Sequence, residues 1–136
     1  MQLYIVRHGI AIDREDPKCP PDPERYLTEE GVEKTKQVAK GVAALGVTAN
    51  LLLTSPYVRA AQTAQIFASA LEYAKQKIRR TDLLLPGAEP SQLFRELAKR
   101  HWSKYETKRL CMTQFSSTKR RIRVPSSGRS STSSPS

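Results

Sequence analysis

Short apolar runs and helix-spaced apolar positions follow one another along the first part of the chain. Three apolar runs predict buried strands at 2–6, 50–54 and 77–85. Apolar positions at helical spacing predict helices at 28–45, 55–74 and 90–99. The order is therefore β-α-β-α-β-α, which indicates an α/β fold with a mostly parallel sheet flanked by helices.

Polar residues and glycine mark the ends of two of these helices. Thr28 is placed to cap the first helix, with two glutamates in its first turn near the positive end of the helix dipole, and Gly46 is placed to end it. Ser55 precedes a proline, so we expect Ser55 to cap the second helix. Residues 13–27 are rich in proline and charged side chains, which predicts an exposed loop.

The alternating pattern ends after residue 99. Residues 101–136 contain ten serines, eight lysines or arginines and only scattered apolar positions. Such a segment cannot bury enough apolar surface to offset the entropy lost on ordering. We therefore expect a domain at 1–99 and a basic, serine-rich tail at 100–136 that is largely disordered.

The net charge of +10 belongs almost entirely to that tail. Residues 1–96 carry 13 basic and 12 acidic side chains, whereas residues 97–136 carry ten basic side chains and one acidic side chain. A nearly neutral body excludes the class of domains that bind nucleic acid through overall charge. A basic cluster at 119–123 leaves non-specific nucleic-acid or acidic-membrane binding as an alternative, but it lacks interleaved aromatic residues, so we expect no specific nucleic-acid partner.

Other sequence features limit location and metal chemistry. The apolar runs are far shorter than the roughly 20 residues that span a bilayer, and the first residues do not have the pattern of a secretory signal. We therefore expect a cytoplasmic protein without a membrane partner. Cys19 and Cys111 are too few and too far apart for a disulfide scaffold or a metal knuckle, so we expect two reduced thiols and no metal.

Candidate functional residues follow the first two predicted strands. Arg7, His8 and Gly9 come directly after the first strand, Ser55 follows the second, and Arg59 lies one helical turn further on. Because ligands bind beyond the carboxyl ends of parallel strands, these residues predict an anion site, with phosphate as the natural ligand.

The histidine gives this site a chemical possibility beyond binding. A neutral imidazole nitrogen beside a phosphoryl group held by two arginines can attack phosphorus and form a phosphohistidine intermediate. Simpler alternatives exist for each residue. In these alternatives, Arg7 and His8 form a polar strand end exposed to solvent, and Arg59 is a solvated helix residue. Ser55 is then a helix cap rather than a nucleophile.

Three sequence blocks carry a family resemblance. Leu-Tyr-Ile-Val-Arg-His-Gly at 3–9, Leu-Thr-Glu-Glu-Gly at 27–31 and Thr-Ser-Pro-Tyr-Val-Arg-Ala-Ala-Gln-Thr-Ala at 54–64 resemble the signature of the histidine phosphatase superfamily, in the Arg-His-Gly branch that includes cofactor-dependent phosphoglycerate mutases. Leu-Leu-Leu-Pro-Gly-Ala at 83–88 follows directly, as in SixA-type phosphohistidine phosphatases. The resemblance covers about residues 1–99.

The resemblance implies a fold, a reaction and a role for each candidate residue. It implies a phosphoglycerate mutase-like sheet, with His8 as nucleophile and Arg7 and Arg59 as phosphate clamps. Gly9 and Ser55 join Arg7 and Arg59 as substrate-binding residues. The expected reaction removes phosphate from a phosphohistidine-bearing phosphorelay protein, with no cofactor, by a monomer acting as a phosphoric ester or phosphoramidate hydrolase.

The sequence departs from the family in its acid group. Phosphoglycerate mutase relatives have a glutamate general acid, and no matching block is present here. Asp82 and Glu89 are near in sequence but lie in no recognisable context. This departure suits a phosphohistidine substrate, because an imidazole leaving group is protonated near neutral pH and needs less help from an enzyme acid than an alkoxide does.

A second departure concerns another histidine. The family has a later Gly-His-x-Pro block, which this sequence lacks, and His101 lies in a basic segment without the glycine and proline. We therefore do not expect His101 to substitute. The abrupt gain of serine and arginine is typical of a shifted reading frame or a truncated copy, with a fold incomplete at the C-terminus. The alternative function is accordingly an inactive or weakly active phosphate-binding remnant.

Overall fold

The computed structural model describes residues 2–101 and 109–113. Four strands are present there: β1 (Gln2–Val6), β2 (Leu51–Thr54), β3 (Arg79–Arg80) and β4 (Arg109–Thr113). The helices are α1 (Glu29–Ala44), α2 (Val58–Ala70) and α3 (Pro90–His101). Short 3-10 turns lie at Asp22–Glu24, Lys75–Lys77 and Asp82–Leu84. None of the helices within the described residues is long and apolar enough to cross a membrane.

The four strands form one parallel sheet in the order β1-β4-β2-β3. The fold class predicted from the sequence is therefore confirmed. In the register, Thr113 of β4 lies opposite both Val6 of β1 and Thr54 of β2, and Thr54 lies opposite Arg80 of β3. The carboxyl ends of all four strands are therefore level, and the loops that follow β1 and β2 open at the same edge of the sheet.

Strand β4 corrects part of the sequence-based prediction. The domain was expected to end at residue 99, whereas Arg109–Thr113 pairs along its whole length with β1 on one side, and residues 110–113 pair with β2 on the other. A central parallel strand needs only a short apolar run, and the three residues at 110–112 are too few to stand out among serines and arginines. Residues 102–108 and 114–136, where disorder was also predicted, lie outside the described residues.

Alternation along the strands divides the core into two layers. On one face, Leu53 packs with Leu93 and Leu97 of α3, and Leu3 and Leu51 lie against the same cluster. On the opposite face, Leu52 packs with the buried Ala64 and Ala68 of α2, and the partly buried Tyr4 and Val6 lie against this second cluster. Helix α1 packs beside α2. The sheet is thus covered on both faces, as its nearly continuous apolar strands require.

Two predicted elements differ in extent from the observed ones. The third predicted strand, 77–85, is reduced to the two residues of β3, because the following segment turns and buries Leu84 completely against α3. The second helix begins at Val58 rather than after Ser55, and its N-cap residue, Tyr57, makes no side-chain capping bond. The Thr28 cap is confirmed, since its hydroxyl accepts a hydrogen bond from the Gly31 amide at 3.0 Å.

The loop after β1 approaches helix α1 very closely at two glycines. A Cβ atom on Gly31 would lie 2.0 Å from the carbonyl oxygen of Ile10, and one on Gly9 would lie 2.3 Å from Oγ1 of Thr35. Neither position has room for a side chain. The first turn of α1 therefore fixes the backbone that follows β1, where the candidate histidine lies.

Candidate active site

The segment after β1 lines an open cleft. Arg7, His8 and Gly9 form part of a cleft of about 500 Å³, and Arg25 and Lys34 line it as well. Arg7 is exposed, whereas His8 is half-buried. The cleft lies at the edge of the sheet where the strands end, and the charged side chains that line it, Arg7, Arg25 and Lys34, are all positive.

The two ring nitrogens of His8 have different partners. Nδ1 lies 2.7 Å from the carbonyl oxygen of Gly9, which can only accept a hydrogen bond. Nε2 lies 3.3 Å from Nε of Arg59, which can only donate. These partners select the neutral tautomer that carries its proton on Nδ1, so the lone pair of Nε2 is directed toward the guanidinium.

The protein also favours the neutral form of His8 electrostatically. Burial lowers the pKa of His8 below its ordinary value, and the positive charges of Arg59, Arg7 and Arg25 lower it further. The bond to the Gly9 carbonyl opposes this shift without cancelling it. At neutral pH the imidazole is therefore uncharged, which is the form that can act as a nucleophile.

Arg59 lies in the first turn of α2 and is 1% exposed. Its Nη1 donates to the carbonyl oxygen of Asp22 at 2.5 Å, and its Nη2 lies 3.2 Å from Oδ2 of the same residue. The guanidinium carbon also lies 4.8 Å from the centre of the Tyr57 ring. The alternative reading of Arg59 as a solvated helix residue is therefore wrong.

Asp22 is one of two residues at this site that the sequence analysis did not single out. Its Oδ1 accepts from Arg14 and Arg25, each at 3.2 Å, while Oδ2 is paired with Arg59. Burial raises the pKa of Asp22, but the hydrogen bonds from Arg25 and Arg59 outweigh this effect and lower it. Residues 13–27 were predicted as an exposed loop, and no periodic pattern distinguishes one aspartate there from the others.

Thr63 connects the loop after β1 to helix α2. Its buried hydroxyl accepts from the Gly9 amide at 3.1 Å and donates to the Arg59 carbonyl at 2.8 Å. The sequence analysis did not single out Thr63 either, although it lies one helical turn after Arg59 and so shares the same face of α2.

The structure brings some predicted site residues together more directly than others. His8 and Arg59 are in contact, and Arg7 is near enough to affect the charge state of His8. Gly9 directs its carbonyl to His8 and its amide to Thr63. Ser55 is buried at the end of β2, where its hydroxyl accepts from the Tyr57 amide at 3.3 Å, so it supports the turn before α2 rather than capping the helix.

Two other residues considered from the sequence are His101 and Cys19. His101 is the last residue of α3. In the part of the chain that the structure describes, no group of three histidine, cysteine, aspartate or glutamate side chains could hold a metal ion. Cys19 is a free thiol.

A family model decides the assignment: the model of histidine phosphatase superfamily (branch 1) matches residues 3–118. The chain belongs to the histidine phosphatase superfamily. The match to the family model extends beyond the resemblance at 1–99 and covers strand β4.

Relatives and solved structures agree with this assignment. A Drosophila persimilis protein named serine/threonine-protein phosphatase Pgam5, mitochondrial, is 31% identical over 110 residues, which are 71% of this chain and 37% of the relative. An uncharacterised Picosynechococcus protein is 49% identical over 70 residues, 52% of this chain and 41% of its own length. The chain thus spans about two fifths of the length of these relatives.

The fold of this histidine phosphatase superfamily member is similar to solved SixA structures. The structure of the protein histidine phosphatase SixA complexed with tungstate matches with a TM-score of 0.73 and 22% identity, covering 84% of this chain and 69% of that one. SixA from Agrobacterium tumefaciens matches with a TM-score of 0.67 and 21% identity, covering 83% and 68%.

Proposed function

We propose that this chain is a phosphohistidine phosphatase that works through a phosphorylated His8. The observation that carries the proposal is the contact between a neutral imidazole and a buried arginine: Nε2 of His8 faces Nε of Arg59 at 3.3 Å. A neutral nitrogen nucleophile beside a fixed positive charge is the pairing that phosphoryl transfer needs.

The reaction takes place in two steps. Nε2 of His8 attacks phosphorus while the bond to the substrate imidazole breaks, and the departing imidazole keeps or takes up a proton. Before this attack, Arg59 transfers its hydrogen bond from Nε2 to a phosphoryl oxygen, which frees the Nε2 lone pair, and Arg7 neutralises a second oxygen. Water attacks the phosphorylated His8, releases inorganic phosphate and restores the neutral ring.

Several observations support phosphohistidine as the substrate. The sequence lacks the acidic block that relatives use to protonate an alkoxide, and a similar fold is that of a protein histidine phosphatase. The cleft is open, with exposed Arg7 at its surface, which suits a phosphorylated side chain on another protein. We propose a phosphorelay protein in the cytoplasm as that substrate.

Two observations favour other outcomes. The relative named Pgam5 is a serine/threonine-protein phosphatase, which favours a phosphoserine or phosphothreonine substrate for the same His8 chemistry. The sequence also contains no Gly-His-x-Pro block, which favours a remnant that binds phosphate without turnover. Both alternatives keep the phosphate site and differ only in what it does.

Phosphate release from a phosphohistidine peptide tests the proposal. We expect release by the native chain, none by His8→Ala, and native rates for His101→Ala, which removes the other histidine of the sequence. A phosphoserine peptide runs in parallel. During turnover, His8 should carry an acid-labile, base-stable phosphate.

The outcomes separate the three functions. Faster release from the phosphoserine peptide would assign the site to phosphoserine instead. Inorganic phosphate binding by a folded chain that releases phosphate from neither peptide would identify the remnant.

A further inference from the structure

The structure assigns a role to Asp22 that the proposed reaction does not yet contain. We infer that Asp22 is a positioning residue, which holds the guanidinium of Arg59 in the orientation that directs Nε at Nε2 of His8. This inference rests on the proposed function for its catalytic consequence, but its geometric content can be measured without turnover.

Asp22 holds Arg59 at two points. The backbone carbonyl accepts from Nη1 at 2.5 Å and the carboxylate accepts from Nη2 at 3.2 Å. Two bonds to two different nitrogens of a planar group restrict its rotation, and the third nitrogen is then directed at His8. A single acceptor would leave the guanidinium plane free to turn about one bond.

Asp22 is itself held in place by the surrounding loop. Its Oδ1 accepts from Arg25, whose Nε and Nη2 both donate to the carbonyl oxygen of Ile12, and from the exposed Arg14. The carbonyl of Arg25 in turn accepts from the backbone amide of Arg59 at 3.1 Å. The segment around Asp22 is therefore attached to the start of α2 through both backbone and side chains.

The charge of Asp22 has a second consequence for phosphate. Its carboxylate occupies one side of the Arg59 guanidinium and offsets part of the positive charge that a phosphate would otherwise meet. Removal of this charge should leave phosphate binding at least as tight while the rate of transfer falls, because Arg59 is no longer held toward His8. A residue that only stabilises the fold would not separate these two effects.

Asp22→Asn is the main test, since it keeps a carbonyl acceptor and the backbone carbonyl but loses the charge. Asp16→Asn is the matched control, because it makes the same substitution in the same loop. Among the hydrogen bonds described, the Asp16 carboxylate accepts only from the Lys18 amide. We expect turnover per folded site to fall about 10- to 100-fold in Asp22→Asn, with inorganic phosphate bound at least as tightly as by the native chain. Asp16→Asn should match the native chain in both.

A measurement without substrate separates this inference from the proposed function. The ¹⁵N resonance of Nε2 in His8 reports the hydrogen bond from Arg59, so it should shift in Asp22→Asn and remain in place in Asp16→Asn. If the native chain releases no phosphate but the resonance shifts in this way, Asp22 positions Arg59 and the proposed function fails.

Two results would overturn the inference while leaving the proposed function intact. One is native turnover and an unshifted Nε2 resonance in Asp22→Asn. The other is a loss of turnover fully explained by a smaller folded fraction, as measured by thermal unfolding. Asp22→Ala extends the series and should lose more turnover than Asp22→Asn, because the side-chain acceptor is also gone.

Discussion

At the scale of single residues, the site depends on the hydrogen bond between the half-buried His8 and the buried Arg59. Arg59 is almost completely buried, so each of its nitrogens needs an acceptor, and one of those acceptors is the nitrogen proposed as nucleophile. The sequence could single out His8 because it follows the end of a predicted strand, and Arg59 because it lies near the start of a predicted helix. It could not predict Asp22, because the loop that carries it has no repeating pattern and its position follows only from tertiary contacts.

The charge state of His8 leads to a pH prediction. Its pKa is lowered by burial and by nearby arginines, so we expect an NMR titration of His8 with a midpoint below 6.5 in the folded chain and near 6.5 in urea. The unfolded state then binds the proton more readily, so this residue's contribution to stability is complete above about pH 6.5 and is lost as the pH falls below it. A folded-state midpoint above 6.5 would contradict the prediction.

Substitution of Arg59 should move the same titration. Among the nearby arginines, Arg59 lowers the pKa of His8 most. Arg59→Gln removes its charge, so we expect the pKa of His8 to rise toward its ordinary value. Arg95→Gln, on the exposed side of α3, is the control and should leave the titration unchanged. An unchanged midpoint in Arg59→Gln would show that the charge of Arg59 does not contribute to the lowered pKa of His8.

At the scale of elements, helix α1 connects local sequence preferences to the site. Its start follows from the Thr28 hydroxyl and its end from Gly46, which has a φ of 72°. Both were predictable because capping is a local interaction. The start of α2 was not predictable in this way. Ser55 is buried directly after β2, and the helix begins three residues later, at Val58. The length of β3 likewise depends on packing of Leu84 against α3.

Two glycines of α1 form a matched pair. Gly31→Ala should destabilise the fold by about 1–3 kcal/mol, since the new methyl group would meet the Ile10 carbonyl. Gly41→Ala places the same methyl in open space within the same helix and should stabilise it by about 0.5–1 kcal/mol. Chemical denaturation of both variants measures the difference, and equal stabilities would argue against the close approach of α1 to the loop after β1.

The cap of the same helix gives another stability prediction. Thr28 accepts from the Gly31 amide and donates to the Ile10 carbonyl, so Thr28→Ala should cost about 1 kcal/mol of the free energy of unfolding. Thr48→Ala, in the segment between α1 and β2, serves as the comparison. A loss no greater than that of Thr48→Ala would indicate that water replaces the cap.

At the scale of the whole molecule, the sheet depends on a strand that local sequence does not reveal. β4 lies between β1 and β2, although the residues around it in the sequence are mostly serine, lysine and arginine. The alternation of strands and helices was enough to predict the fold class, and it placed His8 and Arg59 near the same edge of the sheet, where they are in contact. It was not enough to place the domain boundary, because the signal of a five-residue strand is weak without its neighbours.

Truncation tests this placement. A chain that ends after residue 101 contains all of α3 but lacks β4, so β1 and β2 would lose their shared partner. We expect this chain to lose cooperative thermal unfolding, whereas a chain that ends after residue 118, where the family match ends, should keep it. Native-like unfolding of the shorter chain would place β4 outside the folding unit.

The central position of β4 also sets the order of events during synthesis. β1 and β2 are not adjacent in the sheet, and Gln2 must wait for a partner more than 100 residues later, Arg109. A chain emerging from the ribosome therefore exposes two apolar strands, with the future His8 loop between them, until the last described strand has been made. Such high contact order favours slow folding and leaves the unpaired strands of the nascent chain exposed to aggregation in the meantime.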